Sequence, residues 1–282
     1  MLREADQRDD GAAADPSAFA TFARLIRSAP DQDRPFFGDG HEFRGLLGGS
    51  LVIHADPRLV QEQFPPAAKI NGETLRFDDC AIGRGKWQPH LRPVQGSALY
   101  REVGDVLAGG GIRNRQSFAD LMRKAENGKP AIRYLLALDS EHKIERYFDE
   151  VFSLVESIRT NGYRTRARRE PEEAGLAAAE RATDARSQLV EMMETEVGMA
   201  VDADGALVRV GPGNHRFAIA HQLGLPRIPV ELRLFHARWL REAFRSHGQH
   251  APAAVIAAAS RLNIDPTHLQ TSGAPASART PE

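Results

Sequence analysis

The six residues Gly211-Pro212-Gly213-Asn214-His215-Arg216 constrain this chain more than any other stretch. They follow the apolar run Leu207-Val208-Arg209-Val210 and precede residues 214–223, whose sequence favours a helix closed by Gly224. A strand that enters a glycine turn and leaves as a helix presents the first backbone N–H groups of that helix without acceptors. The helix dipole then favours an anion in front of the turn. Gly211 and Gly213 carry no side chain to hold a ligand away from the backbone. Arg216 falls in the first turn, where the dipole alone disfavours a cation, and its planar fork suits phosphate oxygens. His215 can donate to the same anion or move a proton, and Asn214 can cap the helix or bond the ligand. The expectation is a phosphate site in which Gly211, Gly213 and Asn214 form the cradle. His215 and Arg216 then bind the phosphate and are also the first catalytic candidates. The competing interpretation is a tight structural turn whose Arg and His make internal contacts.

Hydrophobic periodicity places further elements around this loop. Residues 197–201 alternate as a strand, and Asp202-Ala203-Asp204-Gly205 is a hairpin turn that returns into 207–210. Residues 228–232 form another strand, whose Pro229 suggests an edge or a strand start. The longest helix is expected over 141–161, with Ile144, Phe148, Val151, Phe152, Val155 and Ile158 as its apolar stripe and Asn161-Gly162 as its end. Shorter helices are expected over 19–26, 100–107, 117–125 with Ser117 as cap, 235–244 and 251–262. Leu51-Val52-Ile53 is a strand candidate, and 58–64 one or two helical turns. Residues 1–16 and 271–282 have the composition of disordered tails. The expected domain organisation is a distinct N-terminal region over 17–140, a core domain over 141–235 and C-terminal helices over 236–270.

Composition narrows the function classes. The net charge of −1 gives no general basic excess, so a DNA role would need a local patch such as the arginine run between 159 and 169. The single cysteine, Cys80, excludes an intrachain disulfide and a cysteine-rich zinc site. No apolar run approaches the roughly 20 residues of a membrane helix. The charged start lacks a signal-peptide core, so the expected location is the cytoplasm, with no membrane partner. No recognised metal spacing links His215, His221, His236 and His247.

The stretch from Val210 through His215-Arg216, Leu223-Gly224 and Ile228-Pro229-Val230 resembles the glycine–histidine–arginine signature of the ParB/sulfiredoxin superfamily. Residues 154–163 are similar to the helix that precedes that core in ParB-like proteins, so the resemblance covers about 145–235. It implies an α+β fold: a ParB/sulfiredoxin-like core of a small mixed sheet with helices, preceded by an irregular helical N-terminal region. It also implies that the loop takes the phosphates of CTP, ATP or ADP. Three departures qualify it. Asn214 stands where sulfiredoxins carry a catalytic cysteine, so sulfinic-acid reduction is not expected. The insertion between Tyr163 and Glu196 is long for such a core. The N-terminal half looks more similar to an uncharacterised ParB-like subgroup, but carries Lys86-Trp87-Gln88 where that subgroup has acidic residues.

Phosphoryl transfer would add a carboxylate to orient or deprotonate the acceptor and to help hold Mg²⁺. Glu156 and Asp202 are the catalytic candidates of this kind, with Asp204 and Glu231 also near the core; ordinary hairpin chemistry competes for Asp202 and Asp204, and a solvated helix face for Glu156. Lys86-Trp87 could stack on a base or anchor a loop in the core. The functional expectation is a nucleotide- or phosphate-binding ParB-like protein, as a phosphotransferase or nucleoside triphosphatase. The alternative is a non-catalytic regulatory or DNA-associated module. Residues 251–270 supply only half of a helix-turn-helix, which disfavours DNA as the partner.

Overall fold

The structure is a computed structural model that describes residues 36–39, 51–65, 69–70, 73–74, 81–133, 136–164, 196–211 and 213–247, together with 255, 257–259 and 261–262. The expected helix over 19–26, most of the arginine run, the loop's Pro212 and both tails lie outside the described residues.

The chain folds as α+β. The strands are β1 (Phe36–Asp39), β2 (Leu51–Ala55), β3 (Glu62–Gln63), β4 (Lys69–Ile70), β5 (Glu73–Thr74), β6 (Ala81–Arg84), β7 (Arg92–Pro93), β8 (Ala131–Arg133), β9 (Leu136–Leu138), β10 (Val197–Val201), β11 (Leu207–Arg209) and β12 (Ile228–His236). The helices are α1 (Ala98–Leu107), α2 (Gln116–Glu126), α3 (Glu141–Asn161), α4 (Asn214–Gln222) and α5 (Ala237–His247). Among the described residues the main sheet has the order β1-β6-β12-β10-β11-β3-β7. The first half of β12 pairs antiparallel with β2, and its end pairs parallel with β6. The sheet is mixed: β10 runs parallel to β12 and antiparallel to β11.

Every residue of β12 is buried, and the strand is central rather than at an edge. Pro229 is tolerated because it is the second residue of the strand, so the strand-start alternative holds and the edge alternative does not. The strand also runs four residues further than expected, absorbing Phe235 and His236, so α5 begins at Ala237. A register shift occurs where Met199 faces Leu232 while Ala200 faces Leu234, leaving Arg233 as the additional residue. Consequently Val230, Leu232 and Phe235 join one core cluster, whereas Leu234 joins another with Phe64, Trp87 and Val208.

The expected boundary near residue 140 does not divide the sheet. Strands β2 and β6 pair with β12, and β3 pairs with β11, so the N-terminal region builds the same sheet as the loop. That region is richer in strand than the expectation allowed. Residues 58–64, expected as helical turns, form a 3-10 turn at Pro57–Leu59 followed by β3. Asp56 caps that turn through Oδ1, which accepts from the Arg58 amide at 2.9 Å.

The helical layer is set by apolar stripes. Helix α3 buries Ile144, Tyr147, Phe148, Val151, Val155 and Ile158 against α1, α2 and α4. Phe152, counted in the expected stripe, is 55% exposed, and Tyr147 occupies the buried arc instead. Gly162 ends α3 as expected, but at φ 71° and ψ 177°, an extended positive-φ conformation open to glycine rather than the left-handed helical cap. Ser97, not anticipated as a cap, accepts from the Tyr100 amide at the start of α1. Ser117 lies inside α2 rather than capping it, and its amide donates to Asp105 of α1. Described residues Val255, Ala259 and Leu262 pack into the core beside Trp239. Among the described residues no helix is long and apolar enough to cross a membrane.

Candidate functional site

Strand β11 delivers the chain into the glycine loop, and α4 leaves it. Gly211 has φ 62° and Gly213 has φ 82°, both left-handed. At Gly213 the requirement is twofold. A Cβ built there would lie 2.9 Å from the Cα of Val197, closer than real contacts allow, so the start of α4 can lie against β10 only over a glycine. As N-cap, Gly213 makes no side-chain capping bond. The first helical bond is donated by the Phe217 amide to the Gly213 carbonyl at 2.9 Å. The amides of Asn214, His215 and Arg216 therefore precede the helical ladder. Gly211, Gly213 and Asn214 are partly exposed, so packed side chains do not seal this end of the helix.

Two guanidinium groups flank the loop. Arg209, on β11, is only 3% exposed; its Nη2 donates to the Gly211 carbonyl at 2.6 Å and its Nη1 to Gln63 Oε1 at 3.2 Å. Arg209 thus fixes the loop from beneath. Sequence reading missed it because a lone arginine in a short apolar strand does not announce its burial. Arg216 pairs with Glu196 at 3.5 Å, and its guanidinium carbon lies 5.8 Å from the centre of the Tyr163 ring. Glu196 immediately precedes the residue that Gly213 packs on, so the Arg216 guanidinium is held at the loop end of the sheet.

His215 departs from its expected role as a direct phosphate donor or proton shuttle. It is 7% exposed, and its Nε2 lies 2.9 Å from the Tyr147 hydroxyl. Burial, followed by the positive fields of Arg133 and Arg209, pushes the imidazole down to about 3. A group held neutral in the fold but free to protonate when unfolded withdraws stability as pH falls. The penalty is absent above the unfolded value near 6.5, grows as pH drops below it, and levels off near 3. In that window the slope from His215 approaches about 1.4 kcal/mol per pH unit. Urea denaturation between pH 7.5 and 5 is expected to show this loss, and His215→Gln should flatten it; equal slopes for the two proteins would contradict the assignment.

Of the remaining candidates, Asp202, Asp204 and Glu156 do not converge on the loop, while Glu231 sits opposite Gly198 at the loop end of β10. Asp202 closes the β10–β11 turn, its Oδ1 accepting from the amides of Asp204 and Ala206 at 2.9 and 2.8 Å. This turn is at the opposite end of β10 from Val197, roughly 17 Å away at ~3.3 Å per residue, so Asp202 cannot act on a ligand held by Gly213. Asp204 is exposed at the same turn and pairs with Arg238. Glu156 pairs with Arg159 on the solvent side of α3, as the solvated-face interpretation holds. Glu231 is buried and accepts from Arg233 Nε and Nη2 at 3.0 and 2.7 Å. Trp87 is 1% exposed, with its ring 5.6 Å from Phe64 and 4.9 Å from His236, so it anchors the core and offers no stacking platform. His236 caps α5 by accepting the Arg238 amide at Nδ1, which leaves Nε2–H to donate to the Gly85 carbonyl.

Among the described residues no three His, Cys, Asp or Glu side chains are grouped to hold a metal ion. Among the described carboxylates on the elements beside the helix start, Glu196, Glu102 and Glu231 are each paired with an arginine. This donor set does not fit a protein-held Mg²⁺.

What sequence reading also missed is a line of polar groups behind His215, buried at Glu102 and Tyr147 and partly buried at Arg133. Arg133 Nη2 and Nε donate to Glu102 at 2.5 and 2.9 Å, and the Tyr147 hydroxyl donates to Glu102 Oε2 at 2.7 Å while also meeting His215. Glu102 falls at helical spacing among Leu99, Val103 and Val106, and a carboxylate on that apolar face was the available signal. Comparison with known proteins gives no match to any family model, curated protein or solved structure.

Proposed function

We propose that this chain is a ParB/sulfiredoxin-like phosphate-binding protein whose loop from Gly211 to Arg216 receives the phosphate of a nucleotide. The observation that carries the reading is the start of α4: an N-cap glycine with no side-chain cap, three amides ahead of the helical ladder, and the Arg209 and Arg216 guanidiniums beside them. Phosphate would meet the amides of residues 214–216 and the fork of Arg216, with Glu196 holding that fork from behind. Arg209 and Gly213 keep the loop in shape for it. Asp202 at the far end of the hairpin and Glu156 on the solvent side of α3 do not accompany the loop, and Glu231 is engaged by Arg233, which favours binding over phosphoryl transfer. The regulatory, non-catalytic reading is therefore preferred to the phosphotransferase.

Calorimetric titration with CTP, ATP and ADP tests this. At least one is expected to bind, and Arg216→Ala should weaken it about 10- to 100-fold, the loss of charge-assisted hydrogen bonds. Arg216→Lys retains a partner for Glu196 but loses the planar fork, so an intermediate loss is expected. Steady release of phosphate by the wild-type protein would restore the enzymatic reading. Absence of binding by all three nucleotides would remove the phosphate reading itself.

A further inference from the structure

Four side chains from four elements form one continuous hydrogen-bonded line: Arg133 of β8, Glu102 of α1, Tyr147 of α3 and His215 of α4. Glu102, Tyr147 and His215 are 2%, 3% and 7% exposed, so the line runs through the interior and ends in the first turn of α4. Its directions follow from the donor inventory. A carboxylate paired with a guanidinium only accepts. The hydroxyl of Tyr147 has one proton and gives it to Glu102 Oε2 at 2.7 Å. Its oxygen can then only accept from His215, 2.9 Å away, so Nε2 of the imidazole must carry the hydrogen.

We propose that Tyr147 is a positioning residue: with Glu102 and Arg133 behind it, it holds His215 in the Nε2–H tautomer and so fixes the first turn of α4 for an incoming phosphate. This rests on the phosphate reading for its purpose, but not for its geometry. His215 is the second residue of α4, and an inward anchor on that side chain fixes the orientation of the backbone amides on either side of it. The turn is then held on three sides: by Tyr147 through His215, by Val197 against Gly213, and by Arg209 on the Gly211 carbonyl. Donors fixed before the ligand arrives lose less freedom on binding, which is how a residue that never touches phosphate can set its affinity.

The experiment uses the full chain with ¹⁵N-labelled histidine and, separately, uniform ¹⁵N label. Ring-nitrogen shifts assign the tautomer of His215, identified by its absence in His215→Gln. Hydrogen exchange reads the amides of residues 214–217, and titration with inorganic phosphate reads the site. The wild-type protein is expected to show the Nε2–H tautomer. Tyr147→Phe keeps the ring and removes the hydroxyl. It should move His215 toward Nδ1–H, speed exchange at Phe217 about tenfold and weaken phosphate about tenfold, the scale of one buried hydrogen bond. An Nδ1–H tautomer in the wild type overturns the proposal without any variant. So does a Tyr147→Phe protein whose tautomer and exchange are unchanged, and if that protein still binds phosphate, the phosphate reading survives alone. Altered tautomer and exchange with undiminished phosphate affinity would overturn the positioning role. If tautomer and exchange respond as expected while neither protein binds phosphate, Tyr147 orders the helix start and it is the phosphate reading that fails.

Discussion

Replacing Gly213 by alanine is expected to lower stability by on the order of 2–5 kcal/mol, from two separable costs. The left-handed conformation at φ 82° costs an ordinary residue roughly 1–2 kcal/mol. Contact of the new Cβ with the Val197 backbone, 2.9 Å from Cα, forces α4 away from β10, and overpacking of this kind costs roughly 1–3 kcal/mol. Gly224 provides the control. It too is left-handed, at φ 65°, but nothing lies within 4 Å of its would-be Cβ, so Gly224→Ala should show only the conformational cost of roughly 1–2 kcal/mol. Guanidinium denaturation of the two variants checks the difference. Equal losses would mean that the approach of the loop to β10 contributes nothing.

The second large effect is expected at Glu102. Truncation to alanine leaves the Arg133 guanidinium without its carboxylate and takes the acceptor from Tyr147. Breaking one side of a buried ion pair costs roughly 3–5 kcal/mol, mostly the penalty of the charge left behind. For a protein of this size that corresponds to a fall in Tm of roughly 6–20 °C. The paired variant Glu102→Leu with Arg133→Met removes both charges and is expected to recover most of the loss, because apolar groups of similar volume replace a buried pair at little net cost. In the paired variant the Tyr147 hydroxyl retains His215 as its neighbour. Thermal melts of the single and paired variants decide the matter. A paired variant no more stable than the single one would show that the Arg133 charge left behind is not the source of the loss.

Much of the frame was legible in the sequence. Helix α3 was expected over 141–161 and is found there, because 21 residues of 3.6-period patterning and a glycine stop leave little choice. The β10–β11 hairpin, its Asp202 turn and the glycine loop running into α4 were readable because each has its own local chemistry. The strand expected at 51–53 is β2, but the short strands from 62 to 93 were less legible. Strand β3 is two residues long, and its place is given by β11 and β7 rather than by any pattern of its own. Tyr147 and Phe152 show the same limit within a helix. Both are aromatic and flank the stripe, and only the neighbouring helices decide which is buried.

By itself, the sequence determined the elements with strong periodicity and the residues that punctuate them, since propensity, capping and left-handed glycines act over a few residues. It also placed Gly211, Gly213, Asn214, His215 and Arg216 together at a helix start. Tertiary structure alone decided what those residues face. It turned His215 inward onto Tyr147, set Arg216 beside Glu196, brought Arg209 under the loop and sent Asp202 to the far end of the hairpin. The physical reason is that buried polar groups must find partners wherever the packed chain supplies them. For Glu102, Tyr147 and His215 those partners lie 45 and 68 residues apart in sequence, beyond the reach of any local pattern.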